Sequence, residues 1–233
     1  MTAPQVSGTA IVIGSTGGIG AALVAALEAA GTSVDALSRT GKHHIDILDE
    51  PSVAAAAARV AEGPAPRLVI VATGMLHEPG IMPERSLRDL DADRLLRSYA
   101  LNAVGPAIVA KHFLPLLPRD GRSVFAVLGA RVGSIGDNRL GGWTGYRMAK
   151  AALAMLVRNI AIETTRRAPD AICVGLHPGT VATNLSLPFR RNLADGQLVT
   201  PDDAAANLLR VIAGLTLADS GNMLAWDGQT IAP

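Results

Sequence analysis

The stretch Ala10-Ile11-Val12-Ile13-Gly14-Ser15-Thr16-Gly17-Gly18-Ile19-Gly20 constrains this chain more than any other. An apolar β-branched run stops at a glycine cluster, and a helical pattern, Ala21 to Ala30, starts directly behind it. The order is strand, glycine turn, helix. Glycines there permit positive φ and let a ligand approach the backbone with no Cβ in the way. The helix points its unpaired N–H groups and the positive end of its dipole at whatever occupies the turn. A phosphate or pyrophosphate is the natural occupant. The spacing is Gly14-x-x-x-Gly18-x-Gly20, not the commoner G-x-G-x-x-G. A plain structural turn is the alternative that this stretch alone leaves open.

The remaining pattern predicts an α/β chain. Strands are expected at Ser33–Leu37, His44–Ile47, Arg67–Ala72, Ser123–Leu128, Ala171–Leu176 and, at an edge, Met223–Trp226. Helices are expected at Ser52–Ala61 behind Pro51, over the long stretch Ser86–Leu117, at Thr144–Arg167, and from the Thr200 cap to about Leu215. Most strands are continuously apolar, so both faces of their sheet need cover. That predicts a doubly wound parallel sheet of about seven strands with helices on both faces. No repeat or linker divides residues 1–233, which read as a single domain, and Asn184–Val199 reads as a loop.

Composition excludes several classes. With 49% hydrophobic and 18% charged residues the chain is not disordered, and a net charge of +1 offers no basic excess for nucleic acid or anionic membrane. No apolar run reads as a membrane span, and Met1 to Gly8 lacks the pattern of a signal peptide. The lone Cys173 permits no intrachain disulfide and suits a reducing compartment, so a cytoplasmic protein is expected. His43-His44 has no acid or cysteine at ligand spacing, and no metal site is read.

Ligands of such sheets lie beyond the carboxyl ends of the strands. After the second strand stand Ser38 and Arg39. NAD-binding sheets usually carry an acid there for the ribose hydroxyls, whereas an arginine pairs with a 2′-phosphate through its fork. NADP(H) is therefore expected over NAD(H), unless Arg39 is a solvated loop residue. Asp46 either accepts from an adenine amine or is an ordinary loop acid.

Tyr146 and Lys150 share one helical face at i, i+4 spacing. A free phenol, pKa about 10, is a poor base; lowering it by about three units needs roughly 4 kcal/mol. One ammonium about 4 Å away at an effective dielectric of about 20 supplies roughly that. The pair can serve a carbonyl/alcohol couple as proton donor and acceptor. Pro106, four residues after Asn102, has no N–H, so the Asn102 carbonyl loses its helical partner and a kink is expected. The freed carbonyl either holds a water in a proton relay or marks a kink and nothing more.

Gly14-Ser15-Thr16-Gly17-Gly18-Ile19-Gly20, Asn102, Tyr146-x-x-x-Lys150 and His177-Pro178-Gly179-Thr180-Val181-Ala182-Thr183 together resemble the short-chain dehydrogenase/reductase family, in its order and spacing. The segments 114–118, 131–135 and 141–143 further resemble its C-factor-like and carbonyl-reductase-like branch. The resemblance implies a Rossmann fold that binds NAD(P) and transfers hydride between the nicotinamide and a small carbonyl or alcohol, with Tyr146 as acid/base. It implies that Lys150 holds the ribose and lowers the Tyr146 pKa, and that the Asn102 carbonyl holds a relay water. It places Pro178, Gly179, Val181 and Thr183 on the carboxamide, Ala72, Thr73 and Gly74 beside the cofactor, and a substrate flap at about 184–199. A homodimer or homotetramer, packed through the long helices beginning near Ser86 and Thr144, is expected on the same ground.

The chain departs from the pattern in two places. The family's catalytic serine usually stands in a Ser-Ser or Ser-Ala pair at the end of the strand before the tyrosine, and that pair is here Gly129-Ala130. Ser134, twelve residues ahead of Tyr146 and the only serine between, is expected to orient the substrate carbonyl. Thr73 replaces the usual asparagine. The alternative function is a nucleotide-binding signalling or regulatory protein with little turnover. His177 is expected to be a packed histidine bonded to backbone rather than a second base, Trp143 either walls the substrate pocket or packs under the loop, and Arg190 and Arg191 either meet an anionic substrate or are solvated.

Overall fold

A strand that buries every side chain needs helices above and below it, and this requirement sets the architecture. The computed structural model describes residues 8–194 and 196–233. Met1–Ser7, within the stretch read as free of a signal peptide, and Asp195 of the 184–199 flap lie outside the described residues. The elements in chain order are β1 (Thr9–Ile13), α1 (Gly18–Ala29), β2 (Ser33–Ser38), β3 (His43–His44), α2 (Glu50–Ala61), β4 (Pro66–Val71), α3 (Ala92–Tyr99), α4 (Gly105–Phe113), β5 (Ser123–Leu128), α5 (Thr144–Thr165), β6 (Ala171–His177), β7 (Thr180–Val181), β8 (Leu198–Val199), α6 (Pro201–Gly214) and β9 (Met223–Ala225).

Seven strands form one parallel sheet in the order β3-β2-β1-β4-β5-β6-β9, the doubly wound arrangement expected from the sequence. Every residue of β5 is buried, as are all but one of β4 and of β6. Alternate side chains feed two cores. Ile11, Ile13, Val69, Val71, Phe125 and Val127 pack with α2, α4 and α5 residues such as Val53, Phe113 and Leu153. Ala10, Val12, Leu68, Ile70, Val124 and Ala126 pack with Leu23 and Leu27 of α1 and Leu208 and Leu209 of α6. Strand order reverses at β1, so its carboxyl end opens a crevice between β2 and β4.

The structure corrects several sequence expectations. The helix expected from Ser86 begins at Ala92, because two caps compete for the stretch. Ser86 and Asp89 close a capping box around a separate 3-10 turn, Leu87–Asp89, and Asp91 then accepts from the Arg94 N–H at 3.0 Å. The kink expected at Pro106 takes the form of a π-turn at Ala100–Val104, in which the Gly105 N–H reaches back to Ala100 O. The third strand is only His43–His44, and Asp46 lies in the loop beyond it. The loop expected at 184–199 ends in β8, which pairs in parallel with β7 and ties the base of the flap to the segment after β6.

Gly14 has φ +88° and its N–H donates to Leu37 O at 2.8 Å, which fixes the turn against the end of β2. A Cβ on Gly20 would stand 2.1 Å from Gly14 O, so α1 reaches the end of β1 only because no side chain is there. Gly20→Ala is therefore expected to lower unfolding free energy by about 1–3 kcal/mol. The control Gly214→Ala, whose Cβ would meet nothing within 4 Å, should stay within about 0.5 kcal/mol. Urea unfolding of both variants checks this; an unchanged midpoint for Gly20→Ala refutes the close-approach argument.

Candidate active site

The glycine turn hands its backbone donors to the crevice. Gly17 precedes α1 in an extended conformation with no side chain capping the helix, so the first-turn N–H groups have no side-chain partner. A Cβ on Gly18 would lie 2.6 Å from Thr183 Cγ2, which brings the segment after β6 directly over the turn. Among the described residues four buried side-chain atoms lack a hydrogen-bond partner: Ser38 Oγ, Thr73 Oγ1, Ser123 Oγ and His177 Nδ1. Three of these stand at or just beyond the carboxyl ends of β2, β4 and β6. Unpaired buried polar atoms are costly in a finished fold and mark places where a ligand completes the bonding. A glycine cradle, an uncapped helix start and this row of unpaired atoms fit a dinucleotide.

Tyr146 and Lys150 come from the first two turns of α5, held by contacts from distant segments. A Cβ on Gly133 would stand 2.7 Å from the Lys150 carbonyl carbon, so the 3-10 turn Arg131–Gly133 lies directly on α5. Arg147 staples that loop, donating from Nε to Gly142 O and from a terminal nitrogen to Val132 O, both at 3.0 Å. Buried Glu84 stands at the helix start: one carboxylate oxygen accepts from the Gly145 N–H at 3.2 Å, and its carbonyl from the Trp143 N–H at 2.6 Å. Trp143 takes φ +50° there, the only non-glycine in the left-handed region among the described residues.

Lys150, 2% exposed, donates from Nζ to Leu128 O at 2.8 Å and lies 5.7 Å from the Tyr146 ring centroid. Burial lowers its pKa to about 8. Burial likewise pushes the Tyr146 phenol above its ordinary value, opposite to the direction expected from the sequence. The lysine that was to lower it is itself desolvated and turned to a backbone carbonyl. The phenol is held protonated, the form that donates.

The two residues face a cavity of about 660 Å³. Thr16, Gly18, Ile19 and Ala72–Gly74 line one side of it, and Pro178, Gly179, Val181 and Thr183 another. A second cavity of about 280 Å³ shares Thr16, Gly17 and Ala72–Gly74 with the first and continues to Gly14, Ser38, Arg39 and Asp46. Ser15 and Gly20 build the turn from behind the lining: the Ser15 N–H donates to Leu37 O at 3.1 Å. Arg39 is exposed, and Asp46 Oδ1 accepts from the Leu48 N–H at 3.0 Å. Asn102 is fully buried behind Gly74, its Oδ1 taking the Met75 N–H (3.0 Å) and its Nδ2 donating to Met75 O (2.8 Å) and Ser98 O (3.0 Å). A Cβ on Gly74 would lie 3.6 Å from Asn102 Oδ1 and 3.8 Å from Lys150 Nζ, so the two residues share one neighbourhood.

Ser134 is the residue the fold does not bring to the site. It is buried, its Oγ accepts from the Asp137 N–H at 3.0 Å, and it is absent from the cavity wall, where Gly129, Ala130 and Val132 stand instead. The 3-10 turn Arg131–Gly133 ends on Ser134, and the hydroxyl is spent on the backbone of the turn that follows. Sequence reasoning also missed Glu84 and Arg147, whose partners lie 61 residues away in one case and on backbone carbonyls in the other. Arg190, left open above, is turned onto its own flap, bonding Ser186 Oγ (3.0 Å) and Thr183 O (2.5 Å).

A doubly wound sheet with a glycine turn at its switch point and a Tyr–Lys pair on the same edge defines a class, the dinucleotide-binding oxidoreductases. A family model described as Enoyl-(Acyl carrier protein) reductase matches residues 13–206. The chain is 31% identical over 231 residues, covering 94% of it and 97% of the relative, to 1-hydroxy-2-glutathionyl-2-methyl-3-butene dehydrogenase of Rhodococcus sp. (strain AD45). It is 36% identical over 146 residues to the C-signal protein of Myxococcus xanthus, covering 63% of this chain and 82% of that one. The NADPH-bound carbonyl reductase from chicken fatty liver shares the fold with a TM-score of 0.84 at 24% identity, over 100% of this chain and 96% of that one. This protein belongs to the short-chain dehydrogenase/reductase family.

His177 lines the cavity, and its pKa falls to about 4, first through burial and then through Arg131, with Asp227 opposing. The folded chain refuses a proton that the unfolded chain takes up at about pH 6.5. Stability from this group is thus complete above pH 6.5 and lost as pH falls from 6.5 to 4, by up to about 3 kcal/mol. Urea midpoints of wild type and His177→Gln at pH 4.5 and 7 check the sign: the variant should flatten the dependence, and an equal slope rejects the assignment.

Proposed function

We propose that this enzyme is an NADP(H)-dependent oxidoreductase interconverting a carbonyl and a secondary alcohol, with Tyr146 as general acid/base. The observation that carries the reading is the meeting of Tyr146 and Lys150 at a cavity continuous with the glycine turn. Residues 1–233 act as one NAD(P)-binding domain, with 184–199 as the flap over the substrate. The NADPH bound to the chicken carbonyl reductase and the NADP bound to a short-chain dehydrogenase/reductase from Burkholderia multivorans support the cofactor.

When bound, the dinucleotide supplies the hydride. The chain supplies the rest. Gly14, Ser15, Thr16, Gly18, Ile19 and Gly20 with the start of α1 hold the pyrophosphate. Ser38 and Arg39 take the 2′-phosphate, Asp46 the adenine amine, and Ala72, Thr73 and Gly74 the adenosine side. Pro178, Gly179, Val181 and Thr183 hold the carboxamide. Tyr146 Oη donates its proton to the substrate oxygen, and Lys150, its proton loosened by burial, hydrogen-bonds the ribose and replenishes the phenol through a water on the Asn102 carbonyl. With Ala130 on the wall in place of a serine, Tyr146 is the donor assigned to the substrate oxygen. Exposed Leu96 on α3 and Met148, Met155 and Ile162 on α5 support a homodimer or homotetramer through these helices, and buried Cys173 suits the cytoplasm.

Paired fluorescence titration with NADPH and NADH tests the cofactor. NADPH is expected to bind at least tenfold more tightly, and Arg39→Ala to erase the preference; binding of neither nucleotide ends this reading. Tyr146→Phe should lower kcat at least 100-fold with dinucleotide affinity kept. A protein with no turnover on any carbonyl, whose biological phenotype Tyr146→Phe leaves intact, would instead fit the signalling alternative, which Ala130 favours. Ala130→Ser adds a donor and should raise kcat/KM by roughly fivefold, about 1 kcal/mol, while Ser134→Ala stays within twofold. The reverse pattern would restore Ser134 to the site.

A further inference from the structure

The end of the cavity beyond Tyr146 is built from groups the chemistry above leaves unused. Trp143, just ahead of α5, and Phe189, on the flap, meet edge to face with ring centroids 4.9 Å apart and planes at 60°. His77 packs on Phe189 at 5.9 Å, and its Nε2 donates to Asn184 O at 3.1 Å, which ties the loop after β4 to the flap. Val132 and Leu185 complete an apolar wall. Trp143 is fixed in place by the Glu84 carbonyl on its N–H, while Phe189 rides on a flap anchored by Arg190 and by the β7–β8 pair.

The charge inventory of this wall is as informative as its shape. Among the described residues that line the cavity there is no acid, the one cation is Lys150, already held by Leu128 O, and the largely buried His177 is kept neutral. Arg190, on the flap, has its guanidinium on Thr183 O and Ser186 Oγ. A carboxylate brought to the aromatic end meets no free cation among the described lining residues, whereas a flat or cyclic apolar group gains contact with two rings.

We propose that the site selects neutral carbonyl compounds bearing a compact apolar ring, seated against Trp143 and Phe189, and rejects those with a carboxylate at that end. The selection rests on the oxidoreductase reading for its chemistry but not for its binding, so the two can fail separately. The matched pair 4-methylcyclohexanone and 4-oxocyclohexanecarboxylate differs in charge on one skeleton. The chain has two tryptophans, and Trp226→Phe leaves Trp143 as the only one, a reporter that needs no turnover. Titration of this variant, with and without NADP⁺, should give a saturable change in Trp143 emission with the neutral ketone and at least tenfold weaker binding of the carboxylate. Phe189→Ala, on the flap surface, should weaken the neutral ketone at least fivefold and leave NADPH affinity within twofold. Where turnover is present, the same tenfold ratio should appear in kcat/KM, and Phe189→Ala should act through KM.

Equal or tighter binding of the carboxylate, no saturable response to either ketone, or indifference to Phe189→Ala overturns the proposal. Failure of NADPH to bind while the ring ketone still reports at Trp143 overturns the oxidoreductase reading and leaves the ring seat standing.

Discussion

Much of this structure hangs on one close approach: the first turn of α1 lies against the end of β1, with the Gly14 carbonyl oxygen where a side chain on Gly20 would be. That contact sets the helix start over the crevice where the strand order reverses. It also fixes the turn against Leu37 O of β2 and, through Gly18, against Thr183. Three segments far apart in the chain converge on a strip of backbone with no Cβ atoms in the way. The fully buried strands behind it give the strip its rigidity, because their register is locked by side chains packed on both faces.

The other half of the site depends on burial. Lys150, His177 and Tyr146 are all carried into a region poor in water, and desolvation moves each toward its neutral form. A wall with few charges and several unpaired polar atoms is a poor arrangement for stability alone. It is a good one for a polar ligand that must find its bonds waiting. Trp143 in the left-handed region, Glu84 on the helix start and Arg147 on two loop carbonyls show how much structure holds two side chains in place.

What could be read in the chain beforehand followed local rules. Continuous apolar runs showed the strands, the glycine cluster showed the turn, and i, i+4 spacing put Tyr146 and Lys150 on one face. Pro106 marked the irregularity that became the π-turn. Errors arose where two local signals competed or where a partner was remote. Ser86 and Asp91 are both good caps, so the helix boundary was misplaced; β7 and β8 are two residues each and exist only as a pair. Ser134 is the only serine between β5 and Tyr146, but its hydroxyl is bound within the turn that follows Arg131–Gly133, and closeness along the chain is a poor guide to position in space.

The sequence by itself determined the fold class, the family and the placement of Tyr146 and Lys150 on one face of one helix, since these rest on periodicity, backbone freedom at glycine and spacing along one helix. Only the tertiary structure decided which way the pKa values move, which wall lacks a hydroxyl and which arginine is withdrawn from the cavity. Those properties depend on desolvation and on contacts between residues tens of positions apart. No local pattern encodes them.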